Sequence, residues 1–127
     1  MDHRRTQPPF AIAVEHFGDT AVISLTGELD TTRTPQLDET LDTCLSQDHI
    51  HLIMNVTDLT FCDSMGLRTI LEFVTRSARA GGWLRLVGAQ GVLKRLLEVT
   101  GVAGVIPMDP DIETAMRARF RDGTHGP

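Results

Sequence analysis

Three apolar residues in a row, Leu52, Ile53 and Met54, sit inside the segment "HLIMNV" from His51 to Val56. Successive side chains of an extended chain point to opposite faces, so this run carries apolar surface on both. It is stable only as a strand covered above and below, which in a small domain means an interior strand of an α/β sheet. The flanking patterns supply the covering helices. Leu37, Leu41, Cys44 and Leu45 fall at i, i+4, i+7 and i+8, one stripe of a helix beginning near Pro35. Leu67, Ile70, Leu71, Val74 and Ala78 mark the apolar side of a second helix, which Gly81-Gly82 ends.

The remaining elements follow from the same reasoning. Phe10, Ile12 and Val14 alternate with Ala11 and Ala13 as in a half-buried strand, and Gly18-Asp19 marks a turn. "TAVISLTG" (Thr20 to Gly27) is then the second arm of an antiparallel hairpin. Trp83 to Val87 is a strand, and Gly91 to Gly101 a short helix closed by glycine. Val105-Ile106 is expected to add a small edge strand, and Ile112, Ala115, Met116 and Phe120 define a last helix. The order β-β-α-β-α-β-α-(β)-α predicts one α/β domain over residues 9–121. Its sheet is mixed, mainly parallel and of four to five strands, packed with about four helices. Residues 1–8 read as a flexible arm and 122–127 as a frayed tail.

Composition narrows the function. The 127 residues suit one core, not two. Lys+Arg total 12 against Asp+Glu 17, a net charge of −5, and no basic face or aromatic platform accompanies the scattered arginines. Nucleic-acid binding is therefore not expected. No apolar run approaches bilayer length, and no apolar segment follows the charged N-terminus, so a cytoplasmic protein without a membrane anchor is expected. Cys44 and Cys62 imply no disulfide framework.

The predicted topology brings "GELDTT", "TDLTFCDSMG" and "GAQG" to the carboxyl edge of the parallel strands, where α/β proteins usually place their sites. At that edge "DSMG" puts Ser64 where strand gives way to helix, and three roles are open to it. Asp63 or Ser64 can be a helix N-cap and nothing more. A nucleophile role lacks half of the G-x-S-x-G elbow, because Cys62 stands two residues before Ser64. It also lacks a base: His49 and His51 flank the opposite end of a strand, and His3 and His125 lie in the expected arm and tail. As a phosphoacceptor, Ser64 would add a charge of about −1.5 to −2 at a helix N-terminus that tolerates it, beside Asp63, Asp30 and Glu28. Gly66 costs roughly 1 kcal/mol relative to alanine in a first turn, which points to close approach by another backbone or partner. Gly88 and Gly91 frame a candidate nucleotide contact, though without a full phosphate-loop signature. The carboxylates at this edge read as a solvated face, with a weak metal site as the sharper alternative. No zinc-ligand spacing and no cofactor motif is present.

Three segments, "VISLTGELD" (Val22 to Asp30), "LIMNVTDLTFCDSMGLRTIL" (Leu52 to Leu71) and the run from Leu84 to Val102, resemble the STAS domains of bacterial anti-sigma factor antagonists. The resemblance covers roughly residues 10–120, and G-E-L-D followed by D-S-x-G at this distance is specific as a pair. It implies a protein that performs no catalysis. When unphosphorylated it binds an anti-sigma factor, a serine kinase of the histidine-kinase-like ATPase fold, and frees a sigma factor. Phosphorylation by that kinase ends the association, and a serine/threonine phosphatase restores it. Carried onto this chain, the acceptor is Ser64, and Leu29, Asp30, Asp63, Ser64, Met65 and Gly66 form the partner-binding edge. The chain departs from the family at Met65, where a second small residue is common. Two alternatives are a constitutive STAS interaction module and a nucleotide-binding one. The strand from Phe10 to Val14 also has an edge suited to pairing between chains as a weak dimer.

Overall fold

A computed structural model describes residues 10–121. Strand β1 (Ala11–Phe17) and strand β2 (Thr20–Leu29) form the predicted hairpin, closed by the two-residue turn Gly18-Asp19. Helix α1 (Thr34–Ser46), strand β3 (His51–Cys62), helix α2 (Ser64–Arg79), strand β4 (Trp83–Val87) and helix α3 (Gly91–Thr100) follow. A 3-10 turn at Val102–Gly104, strand β5 (Met108–Asp109) and helix α4 (Ile112–Arg121) complete the described residues. The expected arm and tail lie outside them, as does the side chain of Phe120.

The strands lie in chain order, β1-β2-β3-β4-β5, with only the β1–β2 pair antiparallel. Each β-α-β crossover steps in the same direction, and right-handed crossovers that do so put their helices on one face. Accordingly Leu37 and Leu41 of α1, Ile70 and Phe73 of α2, and Leu93 and Leu97 of α3 share one core with Leu52, Met54 and Val56. The opposite face holds a smaller cluster of Val22, Ile53, Val87 and Ala115, the last from α4. The apolar run of β3 is thus divided between two cores, as its sequence requires.

Three expectations are corrected. The edge strand is Met108–Asp109, not Val105-Ile106. The amide of Val105 closes the preceding turn on the Val102 carbonyl, and Ile106 instead drops into the larger core. On α2 the buried positions are Gly66, Leu67, Ile70, Phe73 and Ser77, while Ala78 is exposed and Leu71 and Val74 are half-buried. The helix is therefore rotated toward Phe73 relative to the predicted stripe. Finally, β2 runs on to Leu29 and β3 to Cys62. What reads as loop between Thr57 and Cys62 is strand, paired with β2 through register shifts between Ser24 and Thr26 and between Gly27 and Glu28. These irregularities erase the alternation by which a strand is recognised, while the extra pairing brings Leu29 opposite Cys62 at the sheet's carboxyl edge.

Candidate functional site

The end of β3 and the end of β2 deliver two short segments to the same place. Asp63 has extended backbone geometry, φ −94° and ψ −177°, and is the N-cap of α2. Its Oδ1 accepts the Gly66 amide at 2.9 Å and its Oδ2 accepts the Thr31 hydroxyl at 3.2 Å. Its own amide donates to the Leu29 carbonyl at 3.2 Å. One side chain therefore satisfies an orphan amide of the helix and also ties down the β2–α1 loop.

This arrangement decides between two of the roles open to Ser64. Asp63 is the cap, and Ser64 is the first residue of the helix, exposed. Its hydroxyl has no protein hydrogen-bond partner among the described residues. Among the described histidines the nucleophile role fails on distance. Ser64 lies two residues beyond Cys62, the end of a 12-residue strand that His51 begins, and at about 3.3 Å per residue that strand alone spans roughly 35 Å. His16 and His49 stack on each other, ring centroids 4.1 Å apart, and His49 lies just before that same start of β3. Cys62 offers no substitute: its thiol is pushed up to about 12 by burial, with the Asp63 charge adding to the effect. At neutral pH it is an inert thiol.

The β2–α1 loop is organised by Asp30. Its Oδ1 accepts the Thr32 hydroxyl at 2.7 Å and the Thr32 amide at 3.1 Å. The Thr32 hydroxyl bond holds the Asp30 carboxyl below its ordinary pKa, with the Thr32 amide and the Arg33 charge acting in the same direction. Asp30 is therefore ionised at neutral pH. Arg33 donates to the Thr32 hydroxyl at 2.9 Å. The sequence reading missed Thr31 and Thr32, which join and shape the two segments. Their signal was present in "DTTRT", since threonine hydroxyls after an aspartate commonly stabilise such turns.

The expected contact residues divide by exposure. Met65 is 41% exposed and Phe61 38%, so apolar surface does flank Ser64. Leu29, by contrast, is wholly buried, and Gly66 is buried beneath the helix. A β-carbon at Gly66 would stand 2.9 Å from the Leu29 side chain and 3.0 Å from the Cys62 sulfur. The close approach expected at Gly66 is real but internal. Leu29 and Gly66 seat the start of α2 against the end of β2.

At the "GAQG" loop, Gly88 has φ +76°, and any β-carbon there would collide with the Thr57 hydroxyl. Its amide donates to the Asp109 carbonyl at 3.2 Å, and Gln90 reaches the Thr57 carbonyl at 2.8 Å. Packing against β3 thus accounts for Gly88, and its amide is already bonded. Gly91 is the first residue of α3. Among the described residues no three histidine, cysteine or acidic side chains are grouped to hold a metal ion. No helix among them is long and apolar enough to cross a membrane.

The family model for the STAS domain matches residues 11–115. The chain belongs to the STAS domain family. An anti-sigma F factor antagonist of Paenibacillus polymyxa is 26% identical to this STAS domain over 98 residues, 76% of this chain and 84% of that one. An anti-sigma factor antagonist from Mycobacterium paratuberculosis has the same fold, with a TM-score of 0.78 at 21% identity, over 87% of this chain and 93% of that one. The anti-sigma factor antagonist SpoIIAA in its unphosphorylated form superposes with a TM-score of 0.75 at 24% identity, over 86% of this chain and 96% of its own. The phosphorylated form of SpoIIAA, a Bacillus cell fate determinant, gives 0.69 at 24% identity over 85% and 99%. The five-stranded mixed sheet of this STAS domain is the architecture these proteins share.

Proposed function

We propose that this protein is an anti-sigma factor antagonist whose binding is switched off by phosphorylation of Ser64. The observation that carries the reading is the division of labour at the head of α2. Asp63 takes the cap, so the Ser64 hydroxyl is exposed and spare. The names of the relatives support the binding role, and the existence of a phosphorylated SpoIIAA supports a switch of this kind.

Asp30 is held ionised by its hydroxyl and amide donors together with the Arg33 charge, and among the described residues Asp63 accepts bonds from neutral groups, Gly66 and Thr31. A phosphate on Ser64 adds about −1.5 to −2 beside them. The helix N-terminus accommodates that charge through its macrodipole, so the fold persists. A partner that packs on Met65 and the unmodified hydroxyl would then have to desolvate a dianion within an acidic edge, which is strongly unfavourable. The partner is an anti-sigma factor with serine-kinase activity of the histidine-kinase-like ATPase type, and a serine/threonine phosphatase reverses the mark. The setting is the cytoplasm, where kinase and ATP are available.

The test is capture from the native cytoplasm with wild-type, Ser64→Ala and Ser64→Glu baits. A kinase-like anti-sigma factor retained by wild type and Ser64→Ala but lost with Ser64→Glu supports the switch. Equal retention by all three baits refutes it and leaves a constitutive STAS interaction module.

A further inference from the structure

β1 is the outermost strand of the sheet, and among the described residues nothing pairs with its outer side. Its pairing with β2 is continuous, from Ala11 opposite Thr26 to Phe17 opposite Thr20, with no register shift. Edge strands in monomeric proteins are usually blunted by lysine, proline, a bulge or inward-pointing charge. "AIAVEHF" has no lysine, no proline and no bulge, and Glu15 is its one carboxylate.

The hairpin sets which backbone groups are free. With the two-residue turn Gly18-Asp19, and Gly18 at φ +64°, Phe17 and Thr20 are the first hydrogen-bonded pair. Bonded and non-bonded pairs alternate along an antiparallel ladder, so Ala11, Ala13, Glu15 and Phe17 bond to β2. The N–H and C=O groups of Ile12, Val14 and His16 therefore point away from the sheet.

We propose that β1 pairs antiparallel with β1 of a second copy about a two-fold axis at Val14. A two-fold centred on any residue of the strand sets outward-facing groups opposite one another, and Val14 is the middle of the seven-residue strand, so this register overlaps the most residues. In it Val14 faces Val14, Ile12 faces His16, Ala11 faces Phe17 and Ala13 faces Glu15. No carboxylate meets a carboxylate. The side chains fit as well. Ile12 and Val14 lie on the face that packs against the larger core, while Ala11, Ala13 and Phe17 are exposed on the other. On the core side a cleft of about 350 Å³ runs between β1 and α1, lined by Val14, His16, Gln36, Thr40 and Thr43 among others. Directly opposite side chains in a ladder have β-carbons about 4.5–5.5 Å apart. Ile12 of the second copy thus arrives beside His16 at the mouth of that cleft, and Ala11 of the second copy covers part of Phe17.

The pairing is independent of the Ser64 switch. β1 is two strands from β3, which delivers Ser64. The two-fold axis reverses the strand direction of the second copy, so the two Ser64 edges face opposite ways and each stays open to its own partner.

Sedimentation velocity on the full 127-residue chain across a concentration series tests the proposal. Wild type is expected to show a concentration-dependent monomer–dimer equilibrium. Ala13 is exposed, so charges placed there leave the fold intact. Ala13→Glu sets a like charge opposite Glu15 twice per dimer and weakens association about fivefold, while Ala13→Lys tightens it about fivefold. A chain that stays monomeric to millimolar concentration overturns the proposal, and so do two substitutions that shift association in the same direction.

Discussion

Asp19 and Asp109 are held by arginines, whereas Asp30 and Asp63 are held by hydroxyls and amides. On the first side, Arg119 of α4 grips both oxygens of Asp19 at 2.9 Å each, and Arg85 grips Asp109 at 2.7 and 3.2 Å. These bidentate pairs cancel charge and fasten α4 to the hairpin and β5 to β4. On the second side Thr31, Thr32 and the Gly66 amide satisfy the carboxylate oxygens, and the neighbouring Arg33 bonds to the Thr32 hydroxyl instead of a carboxylate. The lesson is that one set of acids serves the fold, while the other keeps its negative charge around an exposed serine. The first set should therefore govern stability alone, and the second should govern binding more than stability.

The largest expected effect on stability belongs to the arginine-paired set. Asp109 is nearly buried and Arg85 mostly so. Asp109→Ala leaves a guanidinium without its partner and should cost about 3 kcal/mol in urea denaturation, with partner affinity unchanged. If partner binding fell as well, the separation of the two sides would be wrong. Next comes Asp63→Ala, which removes the cap of α2 and the tie to Thr31. It should cost about 1 kcal/mol, yet abolish capture of the partner, reversing the ranking of the two sites when binding is measured.

The Asp19 pair gives a smaller, pH-dependent effect. The Arg119 bond is the main cause that lowers the Asp19 pKa, and His51 adds to it. A depressed carboxylate contributes stability above its unfolded value of about 4 and loses it as pH falls through the folded value. Because Asp19 is about a third exposed, the advantage of wild type over Asp19→Asn should not exceed about 1 kcal/mol near neutrality. It should vanish as the solution is acidified below the depressed pKa, as thermal melts at a series of pH values would show. An advantage that grew on acidification would contradict the assignment. The smallest effect is that of Ser64→Ala, which should stay within about 0.5 kcal/mol of wild type, because Asp63 and not Ser64 caps the helix.

Much of the fold is legible in the chain because apolar periodicity records burial directly. Leu52, Ile53 and Met54 could only be a doubly covered strand, and Leu37, Leu41 and Cys44 mark the buried face of α1. Periodicity fails where pairing rather than burial sustains an element. Thr57 to Cys62 carry polar residues in broken alternation, yet extend β3 because β2 remains alongside with register shifts. Phe73 and Ser77 were hidden because Leu71 and Val74, half-buried on the flank of α2, suggested a different centre for its apolar face. At the site, the meeting of the Asp30 and Asp63 segments was visible from topology. What that edge buries was not: Leu29 lies wholly in the core, and Gly66 packs against it with no room for a side chain. Thr31, whose hydroxyl links the segments across 32 positions, has no local pattern that announces a long-range bond.

The most direct test of the central claim is phosphate transfer to the purified chain. Wild type and Ser64→Ala would be incubated with the captured anti-sigma factor and ATP, followed by intact-mass and peptide mapping. The account predicts one added phosphate, on Ser64, in the wild type and none in Ser64→Ala, with the modified chain no longer retained by the partner. A wild-type chain that gains no phosphate, or gains it elsewhere, or stays bound once Ser64 is modified, would contradict it.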